Sequence, residues 1–321
     1  MLAFAFALAM VTGALPHPAA ARVDLIVRSV MHDRGIEGLS VGVVLGDRSA
    51  VRAYGYTGRS HAAGVRPRTL FAIGSLSKGM LAAAARSLNA AGRIRMGMRV
   101  DEIDPSYSAA SDVTLAMLLE QRSGIPDYAQ MPTFDRFSRE PQSPRELVAR
   151  VSALQLLFQP GTQTAYSNTN YVLAGMALQE AVGLPLAAIE RETVFGPLGM
   201  HATRTWQPFV FEADRAWGNV APGSPTLTFG AADLESNAPD LDRWMSALLT
   251  HRFSTGAIGF WSGKLFGDRV TAQSGYVNGF SAYMLLLPRR HAGVVLLCNA
   301  DRIDLGPLAQ SVMAAALDIP D

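Results

Sequence analysis

Lysine is almost missing from this chain. Of its 28 basic residues only Lys78 and Lys264 are lysines, and the other 26 are arginines. Arginine keeps its proton in a protein, whereas a desolvated lysine can give it up. Cysteine is scarcer still. Cys298 stands alone in an apolar, strand-like run, which excludes an internal disulfide and reads as a buried thiol. The six histidines, at 17, 32, 61, 201, 251 and 291, include no pair at helical spacing. No metal site can be assembled from ligands close in sequence, and neither metal nor cofactor is expected. A net charge of +1 and the lack of any basic block argue against nucleic acid or an anionic membrane surface as partner. The doublet Arg289-Arg290 reads as a solvated turn.

Charge is wholly absent from residues 1–21. The apolar run Leu2 to Leu15 is too short to span a bilayer, and Ala19-Ala20-Ala21 gives an A-x-A cleavage pattern before Arg22. Residues 1–21 are therefore expected to be a signal peptide, leaving a periplasmic or secreted chain of residues 22–321. No stable membrane insertion is expected after leader cleavage. With no cysteine in this segment, a lipoprotein anchor is excluded. The whole chain is 49% apolar and 17% charged, the profile of a globular, core-rich protein.

The fold class expected is α+β. Asp24 to Asp33 has helical apolar spacing, and Leu39 to Leu45 and Ala50 to Tyr56 read as strands around the turn Gly46-Asp47-Arg48. From Ser77 to about Ala232 the pattern is mostly helical, with Thr114 and Ser143 placed as N-caps. After the helix Pro239 to Thr250, strands return at Arg269 to Gln273, Phe280 to Leu287 and Gly293 to Cys298, and a helix at Leu308 to Leu317 closes the chain. Both ends are expected to build one antiparallel sheet flanked by the first and last helices. That gives an α/β lobe of residues 22–74 and 233–321 and a helical lobe of 75–232, with a cleft between them.

Three short elements carry chemistry. In FAIGSLSKGM (71–80), Lys78 falls one helical turn after Ser75, so its amine reaches the hydroxyl. Ser75 is either a helix cap or a nucleophile beside a lysine whose burial lowers its pKa. In YSNTNY (166–171), Tyr166 is a second proton-handling group and Asn168 an amide that donates and accepts; alternatively Ser167 caps a helix and Tyr166 packs in the core. In QSGYVNGFSAY (273–283), at the start of a strand, Gln273, Ser274, Gly275 and Tyr276 could turn backbone N–H groups to a cleft. GLSVG (38–42) also fits a Gly-x-Ser-x-Gly elbow, but Ser40 opens an alternating strand, not a strand-to-helix turn.

In this order the three elements resemble the serine β-lactamase and penicillin-binding-protein superfamily, in its class C-like group with D-alanyl-D-alanine carboxypeptidases and family VIII carboxylesterases. LLEQRSGIPDY (118–128), PGTQTAYSNTNYVLAG (160–175), FGPLGMHATR (195–204) and SNAPDLDRW (236–244) extend the likeness to residues 24–318. The resemblance implies an acyl-enzyme mechanism with Ser75 as nucleophile and Lys78 and Tyr166 handling its proton. It further implies that Asn168 holds Lys78 and substrate, and that the N–H groups of Ser75 and Tyr276 form an oxyanion hole. The substrate would be a small molecule or a peptidoglycan-type ester or amide.

One position departs from the family pattern: Gln273 stands where Lys or His normally begins the third motif. A neutral amide weakens carboxylate binding, so weak β-lactamase activity is expected unless an arginine such as Arg269 reaches in. A slowly acylating or non-catalytic penicillin-binding sensor of the same fold is the alternative. Specificity is expected to lie in loops 102–112, 129–142 and 204–230.

Overall fold

A computed structural model describes residues 11–13, 15–58, 63–105, 110, 112–210, 212–253 and 261–319. Most of the expected leader, and residues 106–109 and 111 of the first specificity loop, lie outside the described residues. The strands are β1 (Val11–Thr12), β2 (Gly38–Leu45), β3 (Arg48–Gly55), β4 (Phe71–Ala72), β5 (Arg204–Thr205), β6 (Leu234–Ser236), β7 (Trp261–Leu265), β8 (Asp268–Val277), β9 (Phe280–Leu287) and β10 (Ala292–Cys298). Seven of them form one sheet in the order β1-β3-β2-β10-β9-β8-β7. All its pairings are antiparallel except β1 with β3. The two ends of the chain meet in the centre of this sheet, where Val43 of β2 pairs with Val294 of β10.

Both sheet faces are covered, so the central strands are apolar throughout rather than alternating. Leu39, Val41 and Val43 point to one side, into a core shared with helices His17–Arg34 and Gly306–Ala316. Val44, Met284, Leu286 and Val295 point to the other, where helix Ala238–Leu249 and the helical region pack. The first helix starts seven residues before the apolar spacing suggests. It takes in part of the segment read as a leader, and Leu15 and Ala19 join its core.

Two features of the sheet differ from the sequence expectation. β8 does not stop at Gln273 but continues to Val277, and the Asn278-Gly279 pair turns it directly into β9. Asn-Gly is a strong two-residue hairpin signal, so the third chemical element lies inside a strand. A second, three-stranded sheet, β4-β6-β5, binds Phe71 to Ser236 and Arg204 to Glu235. Glu235 is fully buried and accepts from Arg204 Nε at 2.8 Å and Arg215 Nε at 2.7 Å, which fastens the 204–216 segment to this junction. Between β4 and β6 the chain is mainly helical, with Thr114 and Ser143 capping as expected. Cys298 is buried, and burial pushes its thiol up to about 11, the state of an inert core residue.

Candidate active site

Helix Ser77–Ala90 is preceded by a single tight turn, Gly74–Leu76, that presents Ser75. No side chain caps this helix; Ser77 Oγ instead donates to Gly74 O at 2.7 Å and accepts from Leu234 N at 3.3 Å. The Ser75 hydroxyl is left for two side chains. Lys78 Nζ lies 3.1 Å from Ser75 Oγ, and Tyr166 OH lies 2.6 Å from it on the other side.

Lys78 is fully buried. Its other two donors reach Asn168 Oδ1 at 2.9 Å and Ala231 O at 2.6 Å, so the three N–H bonds of an ammonium meet three acceptors. The rings of Tyr166 and Tyr171 flank the nitrogen, with centroids 4.8 and 5.4 Å away, and add cation–π attraction. Arginine, planar and longer, could not make this three-way contact and could not exchange the proton.

Tyr166 is 44% exposed and faces the cleft rather than packing in the core. Ser167 does not cap helix Asn168–Val182; its hydroxyl donates to Pro126 O. The Tyr-Ser-Asn turn is instead set by Gln121, whose Oε1 accepts from Ser167 N at 3.0 Å and Asn170 Nδ2 at 2.6 Å. Asn168 turns its Oδ1 to Lys78 because its Nδ2 donates to Asp127 Oδ2 at 3.0 Å. Burial pushes the Asp127 carboxyl above its ordinary value, opposed by the N–H of Ala129 and by Lys78.

On the third side runs β8. Its partner β7 ends opposite Ala272, so among the described residues the outer edge of 273–277 is free to lie along the nucleophile turn. The approach is closer than any side chain would allow. A Cβ on Gly275 would sit 2.1 Å from Ile73 O and 3.2 Å from Ser75 N, and one on Gly74 would sit 2.6 Å from Tyr276 N. Both positions need glycine. This contact brings the backbone amides of Ser75 and Tyr276 side by side at the nucleophile.

Gln273 is only 2% exposed, and its Nε2 donates to Ser75 O at 2.8 Å. The amide therefore braces the turn from within. Arg269 does not enter the site; it is exposed and lies opposite Lys264 at the far end of β8. A cleft of about 270 Å³ opens over Ser75, Tyr166 and Asn168, walled largely by Tyr128, Phe134, Trp206, Leu227, Tyr276 and Val277. Among the described residues its only lining cation is Arg302, whose side chain is 87% exposed and lies 3.7 Å from Asp301. Ser40, the serine of the elbow-like pentapeptide, is fully buried in β2. A larger cavity, about 710 Å³, lies beside helix Ala238–Leu249, but neither lysine nor tyrosine lines it.

Seven of the eight residues singled out in the sequence thus fall around one point, and the eighth, Ser274, lies on β8 between Gln273 and Gly275, opposite Tyr283 of β9. Sequence reasoning assigned no role to Gln121, Asp127, Glu190 or Asp233. Only Asp127 carried a local signal, an Asp directly before a turn that its side chain caps through Ala129 N.

The family model described as Beta-lactamase matches residues 23–316. The putative penicillin-binding protein PbpX of Bacillus subtilis (strain 168) is 25% identical over 243 residues, 76% of this chain. This chain spans about three fifths of the length of the curated relatives it matches, 59% for PbpX. Among solved structures, an octameric penicillin-binding protein homologue from Pyrococcus abyssi superimposes with a TM-score of 0.80 at 20% identity, covering 93% of this chain and 77% of its own. A class C beta-lactamase gives 0.77 at 20% identity, covering 92% and 96%.

Proposed function

This chain belongs to the beta-lactamase family, and on that premise we propose that it is a serine hydrolase working through an acyl-enzyme on Ser75. The observation that carries the reading is the position of Ser75 Oγ, between Lys78 Nζ at 3.1 Å and Tyr166 OH at 2.6 Å. In the first step Oγ attacks the carbonyl carbon of an ester or amide and its proton passes to the Tyr166 oxygen, the pair entering the step with one proton fewer than a phenol and an ammonium together hold. The carbonyl becomes a tetrahedral oxyanion, held by the N–H groups of Ser75 and Tyr276, a contribution of about 3–4 kcal/mol per donor in other hydrolases. The intermediate collapses as the same pair returns the proton to the departing alcohol or amine. Water then attacks the acyl-Ser75 ester, losing its proton to the pair, and the pair passes that proton to Ser75 Oγ as the C–O bond breaks and the acid departs. The Lys78 ammonium, fixed by Asn168 and Ala231, supports the negative charge that moves between Ser75 and Tyr166.

The acyl donor favoured is an ester or amide without a carboxylate beside the scissile bond. Gln273 carries no charge and gives an amide N–H to Ser75 O. The lining cation Arg302 is solvated and already next to an acid, so its attraction for a second carboxylate is small. The aromatic and aliphatic walls of the cleft suit an apolar acyl group.

Incubation with a fluorescent fluorophosphonate, then turnover of p-nitrophenyl esters, nitrocefin and D-Ala-D-Ala peptides, tests this reading. Labelling lost in Ser75→Ala, with ester turnover exceeding nitrocefin turnover, is the expected result. A label that forms on Ser75 without turnover of any substrate would instead identify a sensor, and labelling of Ser75→Ala would sink the reading.

A further inference from the structure

The cleft over Ser75 has a neighbour. Trp206 and Asn278 line the cleft and also line a second, shallow trough of about 50 Å³ beside the turn from β8 to β9. The apolar part of the trough comes from Pro208, Trp217, Val220 and Phe280. Trp217 is 39% exposed and Val220 43%. Exposed apolar residues are ordinary when single, but a group of them continuous with a reactive cleft marks a surface that meets a ligand.

The trough is preformed. Arg215, which also lines it, is buried and occupied: its Nε donates to Glu235 Oε2 at 2.7 Å and its Nη1 to Gln207 O at 2.9 Å. Trp217 N–H donates to Thr57 O at 2.6 Å. A Cβ on Gly218 would sit 2.9 Å from Gly279 Cα, so the loop and the β8–β9 turn touch through backbone. Asp301 ties the same two pieces together. Its Oδ1 accepts Gly279 N–H at 3.1 Å, and its own N–H donates to Asn219 Oδ1 at 2.9 Å. With its guanidinium neutralised by Glu235 and its backbone fastened, the trough offers a ligand mainly apolar surface.

We propose that this trough is an acyl-tail subsite, and that the substrates are esters or amides of medium-chain carboxylic acids whose apolar tip seats against Trp217 and Val220. The proposal rests on the reading of Ser75 as the nucleophile. In that reading the carbonyl oxygen lies at the Ser75 and Tyr276 amides. The departing alcohol or amine lies at Tyr166, which returns its proton. The remaining substituent, the acyl chain, then runs along β8 from Tyr276 to Asn278, two residues or about 7 Å. An acetyl group ends short of the trough, whereas an octanoyl chain passes Asn278 and enters it.

The test follows p-nitrophenolate release from p-nitrophenyl acetate and p-nitrophenyl octanoate by the full chain, in wild type, Trp217→Ala, Val220→Asp and Ser75→Ala. Release reports acylation even where the acyl-enzyme hydrolyses slowly. Wild type is expected to be acylated by the octanoate at least about tenfold faster than by the acetate, the value of about two methylenes in an apolar site. In both trough variants that preference falls by about tenfold through the octanoate, while the acetate rate changes by less than about twofold. Val220 is exposed, so Val220→Asp decides if Trp217→Ala fails to fold. A wild type without the preference, or variants that both keep it, overturns the subsite while Ser75-dependent release from the acetate stands. Release by Ser75→Ala at the wild-type rate, or none by wild type, removes the nucleophile reading itself.

Discussion

Gln273 donates to the carbonyl of Ser75, so its effect on specificity comes through the turn it braces and through the charge it does not carry. An amide here leaves one buried acceptor, Oε1, without a partner. Lysine at this position would keep the donor, remove that orphan acceptor, and add a positive charge beside the nucleophile turn. In Gln273→Lys the ratio of benzylpenicillin turnover to p-nitrophenyl acetate turnover is expected to rise by about tenfold, the value of one charge-assisted contact of about 1.4 kcal/mol. Steady-state kinetics on the two substrates measure it. A ratio equal to that of wild type would remove Gln273 as the determinant of acyl-donor choice.

The decisive contact between elements is that of β8 with the turn Gly74–Leu76, and it is made by backbone. Gly275→Ala would place a methyl group on Ile73 O, which neither the strand nor the turn can yield without separating. We expect a loss of about 1–3 kcal/mol in stability by chemical denaturation. Ester turnover is expected to fall by at least about a hundredfold, since an oxyanion donor is displaced with it. A variant with full activity would show that the amide of Tyr276 is not part of the site. The Ser75–Lys78 turn was readable because three-residue spacing on a helix is a local property. So were the caps at Thr114 and Ser143 and the strands of the central sheet. The hairpin at Asn278-Gly279 was equally local and was passed over in favour of a strand end at Gln273. Asp233 and Glu190 are different. Nothing within four residues of either marks it as buried; helix Leu186–Glu190 is covered by helix Ser77–Ala90, distant in the chain, and Asp233 is drawn in by Gly230 N–H. The first helix illustrates the same limit, since its start at His17 follows from what Leu15 and Ala19 cover.

For the molecule as a whole, the buried carboxyl of Asp233, which accepts Gly230 N–H at 2.8 Å, sets a cost that depends on pH. Asp233 binds its proton more tightly in the folded chain than in the unfolded one, up to about 6 against an ordinary value of 3.8. The stability linked to that proton is fully present below 3.8 and is lost as pH rises through about 6. Asp233→Asn has nothing to lose in that interval. Its unfolding free energy in urea is expected to match wild type near the lower end and to exceed it by about 2–3 kcal/mol above the upper end. A difference that does not change with pH would show that Asp233 is not strained by burial. A variant that is more stable and yet reacts differently would place Asp233 among the features that function retains at the expense of stability.

The scarcity of lysine has a practical side. With Lys78 sealed among Ser75, Asn168 and Ala231, the only side-chain amine open to solvent is that of Lys264, on the outermost strand β7. Beyond the α-amino group, an amine-reactive dye, biotin ester or surface linker has a single address, at the sheet edge and away from the cleft. The protein can thus be tethered in one orientation, with its reactive serine left free to turn over substrate.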